Sequence, residues 1–271
     1  MAELDLARAL HEALRAREAG DEAALVNVVS DRTNLRLSLT GRLLVRSSGG
    51  VEGSIHLSLD SVLINAARDA LHEKRSRLRS FEASDAGATM VGAQEGNLDV
   101  FLEVLARAPR LIVVGAGHIA VPLAALAKLL EFNVTVVDDR VDFANHERFP
   151  DADTILLGPY RETVRSLSVD EDTYAVLVTR GHVHDQACLE ELLQSQVAYI
   201  GMIGSKRRIR TVLDHLHDQG IGDDKLTRVW APVGLDLGSQ TPAEIALAIM
   251  AEIVKVRRGG GGHSLAVTPV P

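Results

Sequence analysis

The chain has 271 residues, of which 29 are Lys or Arg and 37 are Asp or Glu, so its formal charge is −8 at pH 7. This length suffices for one large or two ordinary domains whose cores need no disulfide or metal. The acidic balance and an aromatic content of 3% argue against nucleic-acid binding, which depends on excess Lys and Arg and on aromatic platforms for bases.

The single cysteine, Cys188, excludes an internal disulfide and a cysteine-based zinc or iron–sulfur site. Residues 1–20 are amphipathic and lack the basic start and apolar stretch of a signal peptide. The apolar run 111–130 contains two glycines, a histidine, a proline and a lysine, so it favours a buried strand, turn and helix over a membrane span. We therefore expect a cytoplasmic protein with no membrane partner.

The N-terminal part is predicted to form a small α+β unit. Leu6, Leu10 and Leu14 are four residues apart, which is typical of one face of a helix. Further elements are predicted in this order: strands at 25–29 and 42–46, a helix over 59–78, a connector over 84–97 and a strand over 98–105. The predicted domain covers residues 1–106.

After Pro109 short apolar runs alternate with helical stretches. This alternation predicts a parallel sheet covered on both faces, as in a doubly wound α/β domain. The predicted strands are 111–114, 134–137, 154–157, 174–178 and 197–200. We expect a Rossmann-like domain over residues 107–258 and a flexible tail over 259–271, so the fold class is α/β with a smaller N-terminal α+β domain.

The strongest motif follows the first of these strands and has the form G-x-G-x-x-A, with Gly115, Gly117 and Ala120 at the fixed positions and His118 between them. In dinucleotide-binding folds the first glycine permits the tight turn, the second lets a pyrophosphate approach the backbone, and the third small residue lets the helix pack closely. The helix N-terminus adds free N–H groups and partial positive charge. The alternative is a Rossmann domain that keeps the glycines for packing and binds no nucleotide.

Asp138 ends the second predicted strand, 21 residues after Gly117. This position predicts a carboxylate that holds the adenosine ribose hydroxyls and favours NAD over NADP. Asp139 and Arg140 follow directly and leave this assignment open.

Three further loops are expected at the carboxyl edge of the sheet, and the third, 234–240, leads into the last helix. The first carries Arg180, His182, His184 and Asp185, for which we weigh a metal site, acid–base work by His182 as the weak catalytic candidate, or a helix cap. The second places cations after two glycines and predicts an anion pocket, or else a solvated helix end. Its candidate residues are Gly204, Ser205, Lys206 and Arg207.

Three residues are interpreted as structural. Thr241 and Glu244 flank a proline and match a capping box at the start of the last helix. Cys188 lies on the apolar side of a helical stretch, which predicts a buried, inert thiol.

Taken together, these motifs resemble the xanthine dehydrogenase accessory protein family (XdhC/CoxI). The resemblance is dense over roughly residues 98–256 and rests on blocks in family order: 115–120, 137–140, 148–152, 180–182, 199–208 and 231–238. It implies a maturation factor that binds molybdenum cofactor, assists its sulfuration with a cysteine desulfurase and its insertion into a molybdenum hydroxylase apoenzyme, and forms a homodimer. Whether such a factor catalyses a reaction is left open.

Two other functions stay open at this point. An NAD-dependent oxidoreductase would use the glycine motif and Asp138, but no clear partner for hydride transfer accompanies them. A scaffold that has lost its ligand is the third hypothesis, because the segment that begins at Gly53 lacks the glycines and the cysteine of the family pattern.

Overall fold

The computed structural model describes residues 4–18, 20–35, 37, 41–92 and 95–266. These residues form two compact units that divide between Arg107 and Ala108. The first contains an antiparallel sheet and the second a parallel one, so the expected α/β class with a Rossmann-like second part is confirmed. No described helix is both long and apolar enough to cross a bilayer.

The first unit is built on a six-stranded sheet in the order β3-β2-β1-β6-β4-β5, with every neighbouring pair antiparallel. Its elements are α1 (Leu6–Glu18), β1 (Ala23–Asp31), β2 (Leu43–Arg46), β3 (Val51–Gly53), α2 (Asp60–His72), β4 (Arg77–Ser84), β5 (Gly87–Val91) and β6 (Leu98–Leu105).

Alternation along β1 gives this sheet two buried faces. Ala24 and Val26 point to a core shared with α2, whereas Ala23 and Leu25 point to a core shared with α1. Successive strand residues face opposite sides of a sheet, so the four consecutive buried residues at the start of β1 need a helix on each side.

Three expectations for this unit need correction. The helix predicted over 59–78 ends at His72, because Arg77 already begins β4. The predicted connector at 84–97 contains β5, which pairs with β4 as a hairpin. The α1 helix is confirmed, but its leucine face is not the buried one. Leu6, Leu10 and Leu14 are 49%, 37% and 51% exposed, and the buried residues are alanines on the neighbouring face of the helix.

The second unit is a six-stranded parallel sheet in the order β12-β11-β10-β7-β8-β9. Its strands are β7 (Arg110–Val114), β8 (Asn133–Asp138), β9 (Thr154–Leu157), β10 (Thr173–Leu177), β11 (Tyr199–Met202) and β12 (Val229–Trp230). Its helices are α3 (Ala120–Leu129), α4 (Tyr160–Ser166), α5 (His182–Leu192), α6 (Lys206–Asp218), α7 (Asp223–Leu226) and α8 (Pro242–Arg258).

Helices cover both faces of this sheet. On one face α3 and α8 pack over Leu111 and Val113 of β7, and on the other α4, α5 and α6 pack over Ile112 and Val114. The two-residue strand β12 has too short an apolar run to be recognised from periodicity and was not predicted. The capping box is confirmed, since the Thr241 hydroxyl accepts from the Glu244 amide and the Glu244 carboxylate accepts from the Thr241 amide.

Candidate functional site

The strand order places a topological switch point between β7 and β10. The loop after β7 leads to α3 on one face of the sheet, and the loop after β10 leads to α5 on the opposite face. In open α/β sheets ligands bind in the crevice that such a divergence opens at the carboxyl ends of the strands.

Gly115 begins the turn between β7 and α3. Its φ is +104°, and an added Cβ would lie 2.7 Å from the carbonyl oxygen of Val178, in the loop after β10. A left-handed conformation and a close backbone approach both require glycine. The turn is therefore packed directly against the neighbouring strand's loop.

The next residues of the turn offer unused amides. Gly117 is half-buried, and among the described residues a Cβ added there would meet no atom within 4 Å apart from its chain neighbours. His118 is exposed, and the amides of Gly117, His118 and Ile119 make no hydrogen bond to another described residue. These three donors directly precede α3, whose first residue, Ala120, is fully buried in the core.

Asp138, at the end of β8, lies under this turn and has no exposed surface. Its Oδ2 accepts from the Ala116 amide at 2.6 Å and from Nη2 of Arg140 at 2.8 Å. Its Oδ1 accepts from Nε and from the amide of Arg140, at 2.8 and 3.0 Å. Both carboxylate oxygens are thus hydrogen-bonded within the protein. The predicted contact of Asp138 with a ribose stays a prediction.

Burial would raise the pKa of Asp138, but the hydrogen bonds from Arg140 and from the Ala116 amide outweigh burial and lower the pKa to about 2. Tyr160, at the start of α4, is also buried, and burial together with the nearby Asp138 carboxylate raises its pKa. Asp138 is consequently a permanent anion at neutral pH.

Arg148 holds the other side of Ala116. Its Nη1 donates to the Ala116 carbonyl at 2.7 Å, and its guanidinium lies 4.6 Å from the centre of the Phe143 ring. The Arg140 guanidinium lies 3.6 Å from the same ring. Sequence analysis placed Arg148 in the block 148–152 but not in the site, because nothing in its local pattern indicates a contact with a turn 32 residues earlier.

Arg180 and Asp139 form an ion pair of 3.7 Å between the loops after β10 and β8. Because β7 lies between these two strands, the pair spans the carboxyl end of β7. The Arg180 side chain is 60% exposed, so it stays available to an anionic ligand.

The loop after β10 also leads to a buried ion pair between Asp185 and Arg208. Asp185 is fully buried, and its carboxylate accepts from the Thr179 hydroxyl and from the Arg208 guanidinium of α6. The alternative that Asp185 or a neighbour caps α5 is not what the described side chains show, since Gly181 is the N-cap and none of them bonds to the amides there. The backbone of His182 begins α5, but its side chain lies outside the described residues.

The loop after β11 lies at the same edge of the sheet, two strands or about 10 Å from β7. The Ser205 hydroxyl caps α6 by accepting from the Arg208 amide at 3.3 Å, whereas Lys206 and Arg207 are exposed. Lys206 lines a cavity of about 380 Å³ together with residues of α6 and the segment after β12: Ile209, Arg210, Leu213, Asp214, Ala231 and Pro232.

Cys188 is fully buried, as predicted, and burial raises the pKa of its thiol to about 12. Within the described ranges no three His, Cys, Asp or Glu side chains are grouped so that they could hold a metal ion.

Comparisons with known proteins agree with the geometry. The XdhC Rossmann domain family matches residues 111–253, which is more than half of the chain. The chain is 30% identical over 254 residues to the uncharacterized protein YqeB of Escherichia coli K12, which covers 93% of this chain and 46% of that protein. It is 32% identical over 160 residues to a protein of Bacillus subtilis 168 described as a probable subunit of xanthine dehydrogenase, covering 59% of this chain and 46% of the relative.

A third relative is the molybdenum cofactor insertion chaperone PaoD of Escherichia coli K12, 28% identical over 92 residues, or 34% of this chain and 29% of that one. A crystal structure described as a xanthine dehydrogenase of Bacillus halodurans has the same fold, with a TM-score of 0.55, 21% identity, and coverage of 91% of this chain and 93% of that one. The chain spans about half the length of the first two curated relatives. By the extent of the family match, the chain belongs to the XdhC family.

Proposed function

We propose that this chain is a maturation factor for a molybdenum hydroxylase of the xanthine dehydrogenase type. It holds molybdenum cofactor or a nucleotide in its Rossmann cleft and assists cofactor sulfuration and insertion. The observation that carries the proposal is the turn at Gly115–Ile119 at the switch point. The backbone conformation of Gly115 favours glycine, and the amides of Gly117, His118 and Ile119 have no hydrogen-bond partner among the described residues. Two relatives, one described as part of a xanthine dehydrogenase and the other as a molybdenum cofactor insertion chaperone, support the choice of ligand.

The phosphate end of such a ligand fits this turn. The amides of Gly117, His118 and Ile119 would donate to phosphate oxygens, and the α3 dipole adds partial positive charge. Arg180 stands on the opposite side of the crevice. From the next loop Gly204, Ser205, Lys206 and Arg207 would contact further anionic groups, with Lys206 and Arg207 as the exposed cations.

The metal end of molybdenum cofactor finds no matching ligands among the described residues, because Cys188 is buried and no metal-binding group of side chains is present there. In its hydroxylase the cofactor supplies the metal centre at which the substrate is oxidised. This chain's own contribution is to bind and orient the phosphate and pterin part. A buried thiol with a pKa of about 12 is a poor sulfur carrier, so the sulfur comes from a partner.

The partners that this function requires are a cysteine desulfurase as the sulfur source and the hydroxylase apoenzyme as the acceptor of the finished cofactor. We further propose that the chain acts as a homodimer in the cytoplasm.

Equilibrium dialysis tests the ligand directly. Molybdenum cofactor released from a purified hydroxylase is placed opposite the protein, with NAD in a parallel cell. We expect retention of the molybdenum cofactor with a low-micromolar or tighter Kd, and its loss when Gly117→Val fills the turn. Absence of binding of either compound at high micromolar concentration would contradict the proposal.

A further inference from the structure

The end of β8 is where an adenosine ribose would meet a carboxylate in a dinucleotide-binding domain. In this chain the carboxylate of Asp138 is already engaged at both oxygens. Oδ1 accepts two hydrogen bonds from Arg140, and Oδ2 accepts one from Arg140 and one from the Ala116 amide. An ionised carboxylate offers about four acceptor positions, so none is left for a ribose diol.

Arg140 cannot easily move aside. It binds Asp138 through two guanidinium nitrogens and its own amide, and its guanidinium lies 3.6 Å from the Phe143 ring centre. Asp138 has no exposed surface, and the side chain of Arg140 is only 20% exposed. A ribose at this place would have to displace Arg140 and separate a buried, bidentate ion pair.

The same carboxylate fixes the turn. The Asp138 carboxylate accepts a hydrogen bond from the Ala116 amide, and Arg148 donates one to the Ala116 carbonyl. Ala116 is fully buried. With both polar groups of Ala116 bonded, the amides that follow it are held in one orientation without any ligand.

Resting on the proposed function, we propose that Asp138 is a positioning residue for the glycine turn and that the site binds phosphorylated ligands without seating an adenosine ribose at the end of β8. The ligand class is thereby narrowed to compounds held by their phosphate, such as a pterin phosphate, rather than by adenosine. The adenosine half of NAD then adds nothing to its binding affinity for this site.

The affinities of three probes distinguish a positioning role of Asp138 from a role as a ribose ligand. The probes are inorganic pyrophosphate, ADP and 2′,3′-dideoxy-ADP, measured by calorimetry on the full chain. We expect ADP and dideoxy-ADP to bind equally within about 2-fold, and neither more tightly than pyrophosphate by more than about 3-fold. A preference of about 10-fold or more for ADP over dideoxy-ADP that disappears in Asp138→Asn would overturn the proposal.

Hydrogen exchange at the Ala116 amide supplies a readout that needs no ligand. Asp138→Ala leaves no acceptor for the Ala116 amide and is expected to raise this exchange rate about 10-fold or more, whereas the matched variant Asp139→Ala leaves it unchanged. Unchanged exchange in a folded Asp138→Ala protein contradicts the positioning role. If pyrophosphate itself fails to bind, the proposed function fails, and the exchange result still decides the role of Asp138.

Discussion

Gly115 lies against the backbone of Val178 so closely that a Cβ on Gly115 would be 2.7 Å from the Val178 carbonyl oxygen. This contact joins the turn after β7 to the loop after β10 across the switch point. The first glycine of the motif is thus required by the protein's own packing, whereas a Cβ at Gly117 would meet no atom within 4 Å in the described part of the chain, its neighbours in sequence apart.

Gly115→Ala is expected to lower the free energy of unfolding by about 2–4 kcal/mol, because it adds a clash to a positive φ of +104°. Gly117→Ala is the matched control and should change stability by less than about 1 kcal/mol. Urea unfolding followed by circular dichroism measures both. Equal stabilities for the two variants would show that the turn does not pack against the β10 loop in this way.

The pH dependence of the free energy of unfolding should show the contribution of ionised Asp138. Its pKa is lowered from the ordinary 3.8 to about 2 in the folded protein. A lowered pKa stabilises the fold above the unfolded pKa, and this contribution is lost as the pH falls through about 4 towards 2. The loss is about 2 kcal/mol.

Urea unfolding at pH 6 and at pH 2.5 tests this expectation. The stability advantage of the wild type over Asp138→Asn should shrink by about 1.5 kcal/mol at the lower pH, because part of the contribution remains above the folded pKa. Asp139→Asn, whose ion pairs are longer at 3.7 and 3.8 Å, should keep the acid-dependent loss that Asp138 causes. A constant advantage over Asp138→Asn at both pH values would contradict the account.

The Asp185–Arg208 pair should matter for stability in an asymmetric way. Arg208→Met leaves the fully buried Asp185 without its cation, which is expected to cost about 3 kcal/mol. Adding Asp185→Asn removes the stranded charge and should recover part of that loss. The two variants are compared by thermal unfolding; no recovery in the double variant would mean that Asp185 does not carry a buried charge.

Cys188 should be inert in the native protein. The thiol has no exposed surface, and its pKa is raised to about 12. Ellman's reagent at pH 8 is expected to react only after unfolding, and under the proposed function Cys188→Ala should support cofactor sulfuration to the same extent as the wild type. Rapid labelling of folded protein, or loss of sulfuration in Cys188→Ala, would place the thiol in the sulfur pathway.

Much of the second unit could be predicted from the sequence because buried parallel strands are continuous apolar runs. Five of its six strands are recognisable in this way, and the glycine motif places the turn at the carboxyl end of β7. The two-residue β12 escapes because periodicity needs a longer segment. In the first unit, β5 is hidden among the glycine, alanine and serine residues of 84–97, since its pairing with β4 depends on a hairpin partner rather than on apolar residues.

Several contacts of the site could not be predicted from local sequence patterns. Sequence spacing located Asp138, but not the Arg140 guanidinium that occupies its carboxylate, because two residues of separation along the chain do not reveal a rotamer. The contact of Arg148 with Ala116 and that of Asp185 with Arg208 join segments 32 and 23 residues apart. Such contacts arise from the strand order and not from any motif.

The central claim is that the Gly115–Ile119 turn binds a phosphorylated small molecule, and calorimetry of wild type and Gly117→Val with molybdenum cofactor tests it most directly. Because an added Cβ at Gly117 lies more than 4 Å from the atoms of every described residue except its chain neighbours, the variant is expected to melt within about 2 °C of the wild type. We predict that it binds the cofactor at least about 30-fold more weakly. Equal affinity in the two proteins, with equal melting temperatures, would contradict the account.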